Sequence, residues 1–173
     1  AVLYPCLFTW KDELYLIWTR QERGKVAAMM CRIDFDGVGE VQVVSAVNEA
    51  YRANGCEGGD GNLYVAYDAY VDGAYHTLVR AFTGTAWTDE VRLDNTEEWA
   101  SGTRIIPSKT GATACWYGFG YGATFSVNSA DVCTEGMHLK ADAPQVLASN
   151  VGWYLDMHAA GRASDGLQLI AYT

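Results

Sequence analysis

Leu14-Tyr15-Leu16-Ile17-Trp18 returns as Leu63-Tyr64-Val65-Ala66-Tyr67 and again as Ala112-Thr113-Ala114-Cys115-Trp116. A fourth copy opens with Leu167-Gln168-Leu169-Ile170-Ala171-Tyr172. The aromatic anchors Trp18, Tyr67 and Trp116 are spaced by 49 residues each time, and Tyr172 follows 56 later. Apolar runs of this length, bounded by turn residues, read as β-strands. A repeat near fifty residues built from short strands is the signature of propeller blades.

Outward from these runs, each complete repeat carries four strand signals. They fall at 4–9, 14–19, 25–33 and 40–44 in the first copy, and at 53–57, 63–68, 75–82 and 90–93 in the second. The third copy has 103–108, 112–117, 123–129 and 145–148, and the fourth only 156–160 and 167–173. Gly58-Gly59-Asp60-Gly61-Asn62 and Ser164-Asp165-Gly166 precede second strands as hairpin turns do. Asp34-Phe35-Asp36-Gly37 and Thr83-Gly84-Thr85 separate third strands from fourth. The stretch 131–143 reads as an insertion in the third copy, and no long amphipathic helix interrupts the pattern. The expectation is an all-β chain, a β-propeller of about three and a half four-stranded blades. The blades divide at 1–50, 51–100, 101–153 and 154–173. Propellers close with roughly 4 to 8 blades. The remaining blades are therefore expected from the same or another chain, as a fragment's missing part or as a partner.

Composition bounds the rest. Half the residues are apolar and 19% are charged, as in an ordered globular protein. A formal charge of −9 disfavours nucleic acid and anionic membrane as partners. No stretch approaches the roughly 20 apolar residues of a spanning helix, so membrane insertion is not expected. The chain opens at Ala1 without a charged and then apolar leader, so a signal peptide is expected to be absent or removed. The five cysteines, Cys6, Cys31, Cys56, Cys115 and Cys133, form no CxxC pair and no ligand-like cluster with histidine. They read mainly as buried thiols. Cys115 sits in the slot of Ile17 and Ala66, and Cys6 with Cys56 is the one pair placed for a disulfide. No phosphate loop, nucleotide fingerprint or Ser-His-Asp order is present, and neither a cofactor nor a metal is expected.

Gly59-Asp60-Gly61-Asn62-Leu63-Tyr64-Val65-Ala66-Tyr67-Asp68, followed by Asp72-Gly73-Ala74-Tyr75, resembles bacterial sialidase-like (BNR-type) and TolB-like β-propellers. The run from Phe82-Thr83-Gly84-Thr85-Ala86-Trp87 to Val91-Arg92-Leu93 continues the resemblance. No full Ser-x-Asp-x-Gly-x-x-Trp box is present, nor the marks of WD40 or kelch blades. The arginine triad and Tyr-Glu pair of sialidases have no residue-by-residue counterpart. The resemblance implies a module that binds a glycan or a protein through its axial face, without catalysis, in a secreted or periplasmic setting. Its rivals are a piece of a sialidase-like or arabinanase-like glycoside hydrolase, and a structural interaction domain of a larger assembly.

The candidate site residues follow from that face, where the connections between blades and the loops after the second strands gather. Arg104 and His158 stand five residues beyond Trp99 and Trp153, at matching repeat positions. Arg52 and Arg104 suit a carboxylate, which a guanidinium grips with two parallel hydrogen bonds. Either arginine, or His158, can equally serve only to bond a neighbouring blade. Asp68 and Asp72, with Glu98 third and Glu49 fourth, are the acids available for glycoside hydrolysis, which needs two carboxylates about 5–10 Å apart. Beside glycine the same aspartates make turns. Tyr70 and Tyr121 are the loop aromatics placed to stack on a ligand. Trp10, Trp87, Trp99 and Trp153 are further stacking candidates, with packing as their other reading. Asp34-Phe35-Asp36-Gly37 reads as a turn rather than a calcium loop, and His76 and His138 stand alone.

Overall fold

The computed structural model describes residues 1–94, 99–120, 124–152 and 156–172. Glu98, Tyr121 and Trp153 lie outside the described residues. The chain is all-β. Its strands form four successive antiparallel sheets, none of which closes into a barrel or a propeller ring.

The first sheet holds β1 (Val2–Trp10), β2 (Glu13–Glu22), β3 (Lys25–Asp34), β4 (Gly37–Val38) and β5 (Gln42–Val43). The second holds β6 (Ala50–Glu57), β7 (Leu63–Val71), β8 (Ala74–Phe82) and β9 (Val91–Arg92). The third holds β10 (Trp99–Pro107), β11 (Ala112–Gly120), β12 (Thr124–Glu135), β13 (His138–Ala141) and β14 (Gln145–Val151). The fourth is the pair β15 (His158–Arg162) and β16 (Leu167–Ala171). Two-residue turns fix several registers. Lys11-Asp12, Arg23-Gly24 and Asp72-Gly73 each have both residues at positive φ, as a type I′ turn requires.

The fourth strand of each of the first three sheets is divided, where the sequence suggests one piece. β4 pairs the end of β3 at Ile33, and β5 pairs its middle at Met29. In the second sheet Trp87 bridges Phe82 at the end of β8, while β9 pairs Leu78 and Val79. In the third, β13 pairs the end of β12 and β14 its earlier half. The stretch 131–143 is therefore no insertion. It is the longest version of a feature found in all three sheets, and Val132, Leu139 and Ala141 carry apolar side chains into the core.

Alternation along the strands gives the two middle sheets two buried faces each and produces three cores between successive sheets. Ile17, Ala66 and Cys115 occupy one repeat position, and all three are fully buried. Ile17 packs with Leu63, Val65 and Tyr67 of the second sheet. Ala66 packs with Ile105, Ala114 and Trp116 of the third, and Cys115 with Met157 ahead of the fourth. The next residue in each copy faces the opposite way. Tyr67 and Trp116 are buried against the preceding sheet, whereas Trp18 stays half-buried, with no described sheet packed on its side of the first. Polar ties join sheets at the turns. Asp60 accepts from the Tyr64 hydroxyl at 2.6 Å and, across the sheets, from Thr134 Oγ1 at 2.9 Å. Gly59 N donates to Gly111 O at 2.9 Å, and a Cβ at Gly59 would fall 2.3 Å from Lys109 O, so only glycine fits there.

All five cysteines are free thiols. The one pair the sequence left open for a disulfide, Cys6 with Cys56, does not form, for a physical reason. Cys6 packs on the core before the second sheet and Cys56 in the core behind it. Burial pushes the Cys115 thiol up to about 12 and the Cys56 thiol higher, so both act as small apolar residues.

Two outcomes follow. Trp116→Ala should cost about 3–5 kcal/mol in chemical denaturation, and Trp18→Ala clearly less, although both fill one repeat slot. The Asp60 carboxyl is pushed up by burial, but bonds from Tyr64, Asn62 and Thr134 outweigh this and hold it below its ordinary value. Its contribution is present above the usual aspartate value of about 3.9 and is lost as pH falls through the lower folded value. The acid limb of the stability curve should therefore flatten in Asp60→Asn.

Candidate functional site

The inner strands β1, β6 and β10 share an irregularity. The register shifts between Leu3 and Cys6, between Tyr51 and Asn54, and between Ser101 and Arg104. Each bulge centres on a residue at positive φ: Tyr4 at 53°, Arg52 at 51° and Gly102 at 72°. Tyr and Arg rarely adopt this region, so the surroundings must hold them there. The preceding sheet holds two of the three bulges, from the position after each aromatic anchor. Thr19 Oγ1 accepts from Arg52 N at 3.1 Å. Asp68 accepts from Gly102 N at 2.9 Å and from Thr103 N at 3.0 Å. The third residue of the series, Tyr117, donates its hydroxyl to Asp156 O at 3.2 Å, just before β15.

Two adjoining hollows lie over these bulges and share Tyr4 and Arg52. The first, about 320 Å³, is also lined by Cys6, Asn54, Gly102 and Arg104. The second, about 200 Å³, adds Tyr51, Tyr75, Trp99 and Ser101. Among the described residues neither lining includes a carboxylate. A larger hollow of about 480 Å³ lies at the end of the first sheet, beside Leu14, Ile33 and Phe35. Its Arg32 is already paired with Glu13 at 2.6 Å and Asp34 at 2.9 Å. Convergent polar groups with capacity to spare mark the bulge cleft instead.

Arg52 spends one nitrogen on Asp68, at 3.1 Å, and its guanidinium sits 5.2 Å from the Tyr4 ring centre. Arg104 donates Nη1 to Thr103 O at 2.9 Å. The other guanidinium nitrogens of both residues have no partner among the described residues. Asn54 stitches the strands beneath them. Its Oδ1 accepts from Ile105 N at 2.7 Å, and its Nδ2 donates to Thr103 O at 2.9 Å. Burial raises the Cys6 thiol while the Arg104 charge pulls it partly back, so the cleft floor carries no thiolate at neutral pH.

The structure thus brings Arg52 and Arg104 together. Asp68 lies beneath them, fully buried, and also accepts from Thr103 Oγ1 at 2.7 Å. Both its oxygens are filled by donors, which is the geometry of an anchor. Asp72 lies in an exposed turn. Tyr70 packs tilted against Tyr75, with ring centres 5.1 Å apart, and Glu49 accepts from the Tyr51 hydroxyl at 3.3 Å. His158 pairs with Ala171 in the ladder as Arg104 pairs with Cys115. It is exposed, beside Asp156 at 3.1 Å, and outside both linings. Trp10 and Trp87 pack on Phe82 at 5.6 and 5.3 Å. His76 is buried with its Nδ1 2.8 Å from Asp94 Oδ2. Glu98, Tyr121 and Trp153 lie outside the described residues.

Sequence reading passes over Tyr4, Cys6, Asn54 and Gly102. Their signal is position: Cys6, Asn54, Arg104 and His158 pair with Ile17, Ala66, Cys115 and Ala171, one position before each aromatic anchor. No family model and no curated protein matches the chain.

The anchor role of Asp68 has a sharp consequence. In Asp68→Asn the amide nitrogen meets a donor whichever way the group turns. The variant should lose about 3 kcal/mol or more in urea denaturation, while Thr103→Ala loses about 1 kcal/mol. An Asp68→Asn variant as stable as the parent would refute the clasp.

Proposed function

We propose that the chain is an arc of a β-propeller and serves as a non-catalytic binding module. Its ligand, a glycan or a protein group bearing an anion, docks in the cleft over the inner-strand bulges. The observation that carries this reading is the cleft itself. Three equivalent bulges converge there, two arginines keep donors to spare, and none of the described residues lining the walls is an acid. Guanidinium groups so placed suit a carboxylate or a similar oxyanion. The sheet order supports the propeller reading, since successive four-stranded meanders pack face to face with inner strands β1, β6 and β10 adjacent. The resemblance to sialidase-like and TolB-like propellers supplies the glycan preference and the secreted or periplasmic setting.

The outer faces support coverage by further sheets, from the same chain or another. Leu7, Leu14 and Val43 are exposed on the first sheet, and Leu167 and Leu169 on the fourth. Their counterparts on the middle sheets, such as Leu63 and Tyr64, are buried. Apolar faces of this kind mark interaction surfaces.

The hydrolase reading needs two carboxylates about 5–10 Å apart across the cleft. Asp68 is saturated, Asp72 lies in an exposed turn and Glu98 lies outside the described residues. The binding reading is therefore preferred. Calorimetry against a panel of acidic and neutral glycans and acidic peptides tests it. An acidic ligand should bind without release of sugar, and Arg104→Ala should weaken it about tenfold or more, equivalent to about 1.4 kcal/mol. Sugar release lost in Asp72→Asn would instead establish the hydrolase, and a panel with no binder would end the binding reading.

A further inference from the structure

The second hollow has a chemistry of its own. Tyr75 is its centre, with ring centres 5.7 Å from Tyr51 and 5.8 Å from Trp99. Tyr4 and Arg52 separate it from the arginine cleft, and Ser101 completes the wall. Trp99 Nε1 is buried and has no hydrogen-bond partner, the one such side-chain atom among the described residues. Indole N–H groups in a protein interior ordinarily find an acceptor, and each exception calls for a reason. Elsewhere the buried polar groups are answered: His76 and Thr77 by Asp94, and Asn54 by Thr103 and Ile105.

Size and lining narrow the occupant. A cavity of about 150 Å³ accepts a benzene-sized ring, so about 200 Å³ admits one six-membered ring and no second. A hydrocarbon ring would cover Tyr51 and Tyr75 but leave the indole N–H unanswered. A pyranose offers an apolar C–H face to the aromatic walls together with oxygen acceptors at its rim. It carries no charge for Arg52 to repel.

We propose that this hollow is a subsite for one neutral hexose-sized ring, stacked on Tyr75 and Trp99, with Trp99 Nε1 donating to a sugar oxygen. The inference rests on the binding-module reading and adds a second contact chemistry beside its anion cleft. Because Nε1 is buried, docking includes a side-chain shift in the lining, of the kind common when ligands bind.

Nitrogen-15 spectra test this directly, since the six tryptophans give six indole signals and Trp99→Phe identifies one of them. The probes are glucose, galactose and N-acetylglucosamine, with acetate for the arginines and phenol as the plain aromatic ring. The expected result is a concentration-dependent shift of the Trp99 signal with at least one sugar and none with acetate. Trp99→Phe and Tyr75→Leu should each weaken that sugar about tenfold. Tyr75→Leu keeps the test open should Trp99→Phe fail to fold. A Trp99 signal unmoved by every sugar, or moved by phenol alone, overturns the proposal. An acidic ligand that still binds at Arg104 in that case leaves the binding module standing; if it too fails to bind, both readings fall.

Discussion

The clasp between one sheet and the inner strand of the next is the interaction on which the rest depends. A bulge turns backbone N–H groups out of their own ladder, and a buried N–H without an acceptor is costly. Here the acceptor comes from the neighbouring sheet, at the position after the aromatic anchor. Thr19 serves Arg52, and Asp68 serves Gly102 and Thr103. Tyr117 reverses the polarity and donates to Asp156 O. The same contact that satisfies the backbone therefore fixes how adjacent sheets meet. It also stabilises the positive φ at Arg52, and with it the direction of a site side chain.

A repeated frame makes identical positions, and the site arises where their occupants differ. At the bulge centre stand Tyr4, Arg52 and Gly102; two residues on stand Cys6, Asn54 and Arg104. Tyrosine gives an aromatic wall and arginine gives charge. Glycine leaves the space that the cleft occupies, and at the second position asparagine is consumed in strand-to-strand bonding while Arg104 keeps donors. An asymmetric ligand needs such asymmetry. The frame supplies rigidity and the exceptions to it supply recognition.

Much of this frame was legible in the sequence. The 49-residue spacing of Trp18, Tyr67 and Trp116 gave four sheets and their all-β class because packing demands the same side-chain type in the same slot. The divided fourth strand was not legible. Its halves are two residues long in the first sheet, and such pairs carry no periodicity of their own. Arg52 and Arg104 were visible as large polar groups near strand starts. The bulges were hidden, because positive φ at Tyr4 and Arg52 is imposed by tertiary contact and contradicts local preference. The fate of Asp68 was hidden for a related reason. An aspartate near a turn looks alike whether it faces water or is held by three donors from the next sheet and one from its own.

Charge completes the argument. The chain carries a formal charge of −9, yet no carboxylate among the described residues lines the cleft. Asp68, which bonds Arg52, is already answered by two backbone N–H groups and a hydroxyl, so it offsets Arg52 only in part. At physiological ionic strength fields fade over about 8 Å. The distant acids thus do little to cancel the two arginines at contact, while the overall charge gives an anion no long-range attraction. A cleft built this way selects by fit. Its discrimination rests on how rigidly Arg52 and Arg104 are held, and that returns to the clasp beneath them.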